Sequence, residues 1–191
     1  MTETSNHTGD TATKPTNSMV GMIWGTAAMA LIVTAANIGV QIPINDWLTW
    51  GAFTYPISFL ITDLCNRSMG ARSARRVVYA GFIVAVALSI YFATPRIAIA
   101  SGTAFLLAQV LDVQIFDRLR QSSHWWMPPL VSSSIASALD TALFFSIAFF
   151  GTPVPWLTLA LGDYAVKMAL AIAMLLPFLA VVRLRLLPNA S

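Results

Sequence analysis

Four carboxylates, Asp63, Asp112, Asp140 and Asp163, and one ammonium group, Lys167, stand inside runs of apolar residues. In hydrocarbon such groups are expensive: a charge at the centre of a bilayer costs roughly 2.5–3.5 kcal/mol on insertion scales. Residues of this kind therefore face a bundle interior or a wet cavity. Asp163 precedes Lys167 by one helical turn, the order in which an acid and a base pair best on a helix. With that pair set aside as an internal salt bridge, three carboxylates are left without a buried cation.

A site with that bias suits a cation, or a ligand rich in N–H donors. The aminopyrimidine edge of a guanine-like ring presents a ring N–H beside an exocyclic amine, and one carboxylate can accept both. Gln109 can donate to or accept from the same ring, and Tyr55, Phe144 or Phe145 can stack on its face. Blander roles compete. Asp63 and Asp112 stand near span ends, where a side chain can reach the interface. Asp140 stands near the middle of its span, where its alternative is a hydrogen bond from a serine or tyrosine of a neighbouring helix.

The elements that position these groups are read from composition. Of 191 residues 57% are hydrophobic and 10% charged, against roughly a quarter charged in ordinary soluble domains. The mean hydropathy is +0.72. Too little polar surface remains to cover a globule in water, so the bilayer is the expected solvent. A net charge of +3 raises nucleic acid as a partner. The basic residues lie in loops between apolar runs, however, which is membrane topology and not a nucleic-acid surface.

The sequence divides into a polar, disordered tail over 1–18, a transmembrane domain over 19–185 and a C-terminal tail over 186–191. The first 18 residues lack the apolar core of a secretory signal. Six spans are expected, over about 19–41, 47–66, 77–92, 97–116, 129–150 and 156–182, each near the length that crosses the hydrocarbon core. Thr34, Asn37 and Gln41 share one face of the first, where helix–helix hydrogen bonding is the simplest role. Asp46 is placed to cap the second span, with Trp47 and Trp50 as interface anchors. Pro56 should kink that span, and Tyr55, Ser58, Thr62 and Asn66 line one of its faces beside Asp63. Ser101, Gln109 and Asp112 fall on one side of the fourth. Gly151 to Pro155 breaks the helix before the sixth.

Six spans put both termini on one side. Of the eleven Lys and Arg residues, nine then face one compartment: Lys14, Arg67, Arg72, Arg75, Arg76, Arg118, Arg120, Arg183 and Arg185. Arg96 alone lies in a loop on the other side. The positive-inside rule makes the termini cytoplasmic and the protein a multi-pass component of the inner membrane. No three-plus-three inverted repeat is evident.

Several chemistries find no residues to carry them. There is no phosphate-binding glycine loop with its lysine and no His-Glu-x-x-His zinc motif. No Gly-x-Ser-x-Gly elbow is present either. His7 lies in the tail and His124 in an interfacial loop. The single Cys65 allows no internal disulfide and no multi-cysteine metal site. No catalytic residue, metal ligand or cofactor is assigned.

A set of short segments resembles one family. They are Thr62-Asp63-Leu64 with Arg67 and Gly70, Ala74-Arg75-Arg76, and Pro95-Arg96-Ile97-Ala98 through Ser101. Gln109-Val110-Leu111-Asp112-Val113 follows, with Phe116 and Arg118-Leu119-Arg120-Gln121-Ser122. Trp125-Trp126, Asp140-Thr141 with Phe144-Phe145, and Asp163-Tyr164 with Lys167 complete the set. Together, over roughly Tyr55 to Pro177, they resemble the queuosine precursor transporters, also called the VUT or YhhQ-type family. The resemblance implies an all-α polytopic protein of six transmembrane helices, similar to the substrate-binding subunits of energy-coupling-factor transporters. It also implies uptake of the deazaguanine bases preQ0 and preQ1, which feed queuosine synthesis in transfer RNA.

On that resemblance the polar positions expected around the substrate are Asp63, Arg96, Gln109, Asp112, Asp140, Asp163 and Lys167; the faces of the spans add Tyr55, Asn66 and Ser101 as substrate-binding positions. The link between the third and fourth spans is shorter than in longer members of the family, and Cys65 replaces a hydroxyl or small residue. Two other readings stand beside transport. One is an intramembrane enzyme using Asp112 and Asp140 as acid and base. The other is a subunit that works with a separate ATPase module. The sequence permits a homodimer and such a module and indicates neither; its expected partners are the lipid bilayer and a small base.

Overall fold

The computed structural model describes residues 15–92, 94–122 and 124–183. Expectations for the tail before Pro15, including His7 and Lys14, lie outside the described residues, as do those for Arg185 and 186–191. The chain is mostly helical: α1 (Pro15–Gly39), α2 (Gly51–Thr54), α3 (Pro56–Met69), α4 (Ala71–Phe92), α5 (Pro95–Leu119), α6 (Met127–Phe149), α7 (Trp156–Ala173) and α8 (Leu175–Arg183). Two short strands, β1 (Pro43–Asn45) and β2 (Leu48–Thr49), pair antiparallel between α1 and α2.

Four helical stretches are long and apolar enough to cross a membrane: Met19–Gly39, Pro95–Leu119, Met127–Phe149 and Trp156–Arg183. The last joins α7 and α8. The protein is thus a multi-pass membrane protein. The segments expected over 47–66 and 77–92 fold as α2 with α3 and as α4. Large apolar side chains such as Trp24, Leu31, Ile83, Leu161 and Leu176 are exposed, where lipid tails would meet them. Small and polar residues occupy much of the interior instead, as helix association in lipid favours.

Local chemistry explains where the helices break. Pro56 has no N–H, and the helix is interrupted at Tyr55, whose carbonyl instead accepts from the Ser58 N–H at 2.9 Å and the Ser58 hydroxyl at 2.7 Å. Gly70, at φ +83°, ends α3 in a conformation that side chains with a Cβ resist. Thr94 caps α5 by accepting from the Ile97 N–H, with Pro95 at the first helical position. The break expected at Gly151 to Pro155 separates α6 from α7. Pro177 takes away the donor that would bond the Ala173 carbonyl, so the last crossing divides into α7 and α8.

The membrane-length stretch of α1 begins at Met19, where the first span is expected, and the helix itself starts at Pro15. One expectation is corrected here. Asp46 is not a helix cap: it sits in the turn between β1 and β2, which the Asn45 side chain closes by accepting from the Trp47 N–H at 2.8 Å. An Asn-Asp pair favours such a turn over the start of a helix. The following helix begins only at Gly51.

Packing places α5 along α6, α1 along α4, and α6 along α7. One apolar cluster, with Met29, Val33, Phe59, Val77 and Phe105, joins α1, α3, α4 and α5. A second, with Ala104, Phe145, Ala148 and Leu159, joins α5, α6 and α7. Close approach of α1 to α2 depends on Gly51, where a Cβ would stand 2.9 Å from both the Ala36 carbonyl oxygen and the Val40 nitrogen.

Candidate functional site

Helices α3, α6 and α7 bring Tyr55, Asp140, Asp163 and Lys167 together. Lys167 Nζ donates to Asp140 Oδ2 at 2.8 Å, to Thr141 Oγ1 at 3.1 Å, and pairs with Asp163 Oδ2 at 2.6 Å. These three partners match the three donors of an ammonium. Thr141 donates to Asp163 Oδ2 at 2.8 Å, and the Tyr55 hydroxyl donates to Asp140 Oδ1 at 2.8 Å. The ammonium also lies 4.9 Å from the centre of the Tyr55 ring, within cation–π range. Asp140 and Lys167 are each only 3% exposed. With two carboxylates and one ammonium, the cluster carries one net negative charge when all three are ionised.

This cluster forms the floor of a narrow cleft, walled by Asn37, Gly51, Tyr55, Ser101, Asp140, Phe144, Asp163 and Lys167. Ser101 donates to Asn37 Oδ1 at 2.5 Å on the wall opposite the cluster. Tyr55 and Phe144 supply aromatic faces. The cleft combines acceptors, aromatic surface and one buried, fully partnered cation.

The internal pair expected between Asp163 and Lys167 is present. The expectation that Asp140 lacks a buried cation is corrected: Lys167 serves both carboxylates, because α6 packs along α7 with Asp140 facing it. The alternative expected for Asp140, a hydrogen bond from a tyrosine, is met by Tyr55 at the same time.

Other expected site residues lie elsewhere. Gln109 is fully buried and satisfied within α3 and α5, accepting from Thr62 at 2.6 Å and donating to Ser58 at 2.9 Å. It does not line the cleft. Arg96 reaches across to α6, where its Nε donates to the Ile147 carbonyl at 3.0 Å and a terminal nitrogen donates to the Phe150 carbonyl. Those carbonyls end α6 without helical partners, so Arg96 caps a helix and does not face the cleft. Asn66 donates to the Val113 carbonyl at 3.1 Å near the arginine-rich end, beside Arg120.

Asp63 and Asp112 make a separate group. Ser132 and Ser133 of α6 donate to the two oxygens of Asp63 at 3.5 and 3.3 Å. Asp112 is completely buried, and neither of its oxygens receives a hydrogen bond. Its polar neighbours are the Asp63 carboxylate and the Ser132 hydroxyl. A second narrow cavity is lined by Asp63, Ser133, Ser137 and Lys167.

Two residues were not assigned to the substrate from sequence: Asn37, which walls the cleft, and Thr141, which bonds Asp163 and Lys167 beneath it. Phe144, expected as a stacking face, lines the cleft. Phe144 lies one turn after Asp140, and Thr141 lies next to it. Asn37 stands among the small apolar residues that end α1. Those positions were the available signal.

Comparison with known proteins decides the family. The family model described as "Putative vitamin uptake transporter" matches residues 49–94 and 89–182. The chain is 36% identical over 184 residues to a "Queuosine precursor transporter" of Escherichia coli (strain K12), covering 82% of this chain and 83% of that one. The chain belongs to the queuosine precursor transporter family. A "Probable queuosine precursor transporter" of Haemophilus influenzae is 34% identical over 201 residues, covering 84% and 86% of the two chains. A protein of the same description from Bacillus subtilis is 26% identical over 153 residues, covering 65% and 67%. No solved structure matches. Both alignments cover most of this chain, and the residues matched by the family model include α3, α6 and α7.

Proposed function

We propose that this protein takes up queuosine precursors, the deazaguanine bases preQ0 (7-cyano-7-deazaguanine), preQ1 (7-aminomethyl-7-deazaguanine) or both, across the cytoplasmic membrane. Six crossings carry it: α1, α2 with α3, α4, α5, α6, and α7 with α8. Both termini are cytoplasmic, and the arginine-rich end faces the cytoplasm. The reading rests on the names of the relatives and on one observation, the Asp140 carboxylate at the floor of an aromatic-walled cleft.

Each carboxylate oxygen has two acceptor sites. Asp140 uses one on Oδ1 for Tyr55 and one on Oδ2 for Lys167, so a ring N–H and an exocyclic amine can still approach as a bidentate pair. Tyr55 and Phe144 cover the ring, and Asp163 with Lys167 fixes the charge beside it. Ser101 and Asn37 close the other wall. No chemical step is required of these residues, and the function is transport without catalysis.

The test is thermal unfolding of the detergent-purified protein with preQ0, preQ1, guanine and riboflavin. A ligand that binds only the folded state raises the melting temperature once its concentration passes Kd. Stabilisation by deazaguanines and not by riboflavin is expected. No shift with any purine-like base, in protein shown to be folded, removes the assignment.

A further inference from the structure

We propose that Asp63 and Asp112 share a single proton, and that this pair is the coupling site through which a proton gradient drives uptake. The proposal rests on the transport reading above and adds its energy source. Asp63 and Asp112 are 2% and 0% exposed. Among the described residues, neither forms a salt bridge. A carboxylate accepts hydrogen bonds only, and Asp112 has no donor on either oxygen. Its neighbour Asp63 is another acceptor. One proton placed between them turns a contact of two acceptors into an O–H···O⁻ bond and removes one of two uncompensated charges, as in other facing carboxylate dyads. The hydroxyls of Ser132 and Ser133 then satisfy the remaining Asp63 oxygen sites.

The surroundings define what acts on this proton. On the elements packed around the pair, α1 over 19–39 and α2 carry no titratable side chain. Helix α4 contributes Arg72, Arg75 and Arg76 at its arginine-rich end, α3 itself Arg67 and Cys65, and α5 Asp117 and Arg118 at one end and Arg96 at the other. From α6 come Ser132 and Ser133, with Asp140 farther along, and from α7 come Asp163, Tyr164 and Lys167; α4 also carries Tyr79 and Tyr91.

Lys167 is the group that connects the two sites, because it lines both the base cleft and the cavity that holds Asp63. The N–H donors of a base bound to Asp140 offset part of that carboxylate's charge. The ammonium, still held by Asp163 and Thr141, then presents more uncompensated positive charge to the second cavity, which favours loss of the shared proton to water at the arginine-rich end. One proton leaves for each base delivered. The cavity and the orphaned oxygens carry this inference, and no bound ion other than a proton is invoked.

The experiment uses the full chain in liposomes, with two readouts. Infrared spectroscopy of the wild type should show the carbonyl band of a protonated carboxylic acid that shifts in heavy water and disappears in Asp112→Asn. Uptake of radiolabelled preQ1 should rise several-fold with an inward proton gradient and fall to equilibration with a protonophore. Asp112→Asn should still be stabilised by the base and exchange it, yet fail to concentrate it. Asp63→Asn serves as the second variant if Asp112→Asn does not fold.

A band that survives both substitutions, or no band in the wild type, overturns the proton pair. So does concentrative uptake that follows a sodium gradient and ignores pH. If the band behaves as expected but no deazaguanine binds the wild type, the proton site stands and the substrate assignment fails.

Discussion

The Tyr55 hydroxyl donates to Asp140 across 85 residues of sequence, at 2.8 Å. That bond joins the residue before the Pro56 break to the middle of α6. The interruption of the helix and the placement of Asp140 are therefore one arrangement: α3 begins where its preceding residue can hold that carboxylate.

Tyr55→Phe keeps the ring over Lys167 and removes the donor. A buried acceptor that loses one partner is expected to cost about 1 kcal/mol, up to ~3 if nothing replaces it. The variant should fold, melt a few degrees lower, and bind deazaguanine more weakly. Unchanged stability and affinity would show that the Tyr55 hydroxyl does not position Asp140.

Asp140→Asn leaves Lys167 paired with Asp163, so the remaining charges cancel within the cluster. Folding should be close to wild type and base binding should be lost. Lys167→Met does the opposite, leaving two buried carboxylates without a cation, and should cost about 3–5 kcal/mol. Adding Asp163→Asn to Lys167→Met should recover part of that loss. Thermal unfolding of the three variants, with and without base, separates these effects.

Arg96 was expected at the substrate and is found capping α6. Arg96→Gln should lower stability by about 1 kcal/mol through the lost carbonyl bonds. Its affinity for deazaguanine should match wild type. A large loss of affinity in a folded Arg96→Gln protein would return Arg96 to the site.

Gly51→Ala places a methyl group 2.9 Å from the Ala36 carbonyl oxygen and the Val40 nitrogen, both backbone atoms that cannot turn aside. Helices α1 and α2 must separate, and overpacking of this kind costs roughly 1–3 kcal/mol. Because Asn37 and Tyr55 wall the same cleft, base affinity should fall together with stability. Wild-type affinity in Gly51→Ala would mean that the cleft does not depend on this contact.

The alternation of apolar runs and arginine-bearing loops was legible in the sequence, as were the breaks at Pro56 and Gly151 to Pro155. The Asp163–Lys167 pair was legible because its spacing is local. What was hidden depends on helix rotation. Asp140 meets Lys167 across 27 residues, and Arg96 meets Phe150 across 54. Helices α1, α6 and α7 are apolar nearly all round, so no hydrophobic stripe says which face turns inward. Gln109 shows the other difficulty. A buried amide in a span invites a ligand role, yet Ser58 and Thr62 already satisfy it. The hairpin over 43–49 was missed because Trp47 and Trp50 were read as the start of a span, when Asn45 closes a turn there instead.

The break at Pro177 has a mechanical consequence. An unbroken helix must give up a backbone hydrogen bond before it can bend sharply, whereas between α7 and α8 that bond was never formed. Helix α8 can therefore swing about Met174 as a short lever at little cost. Met174, Leu175 and Phe178 line the cavity that holds Asp63, so a bend at this break would move one wall of that cavity.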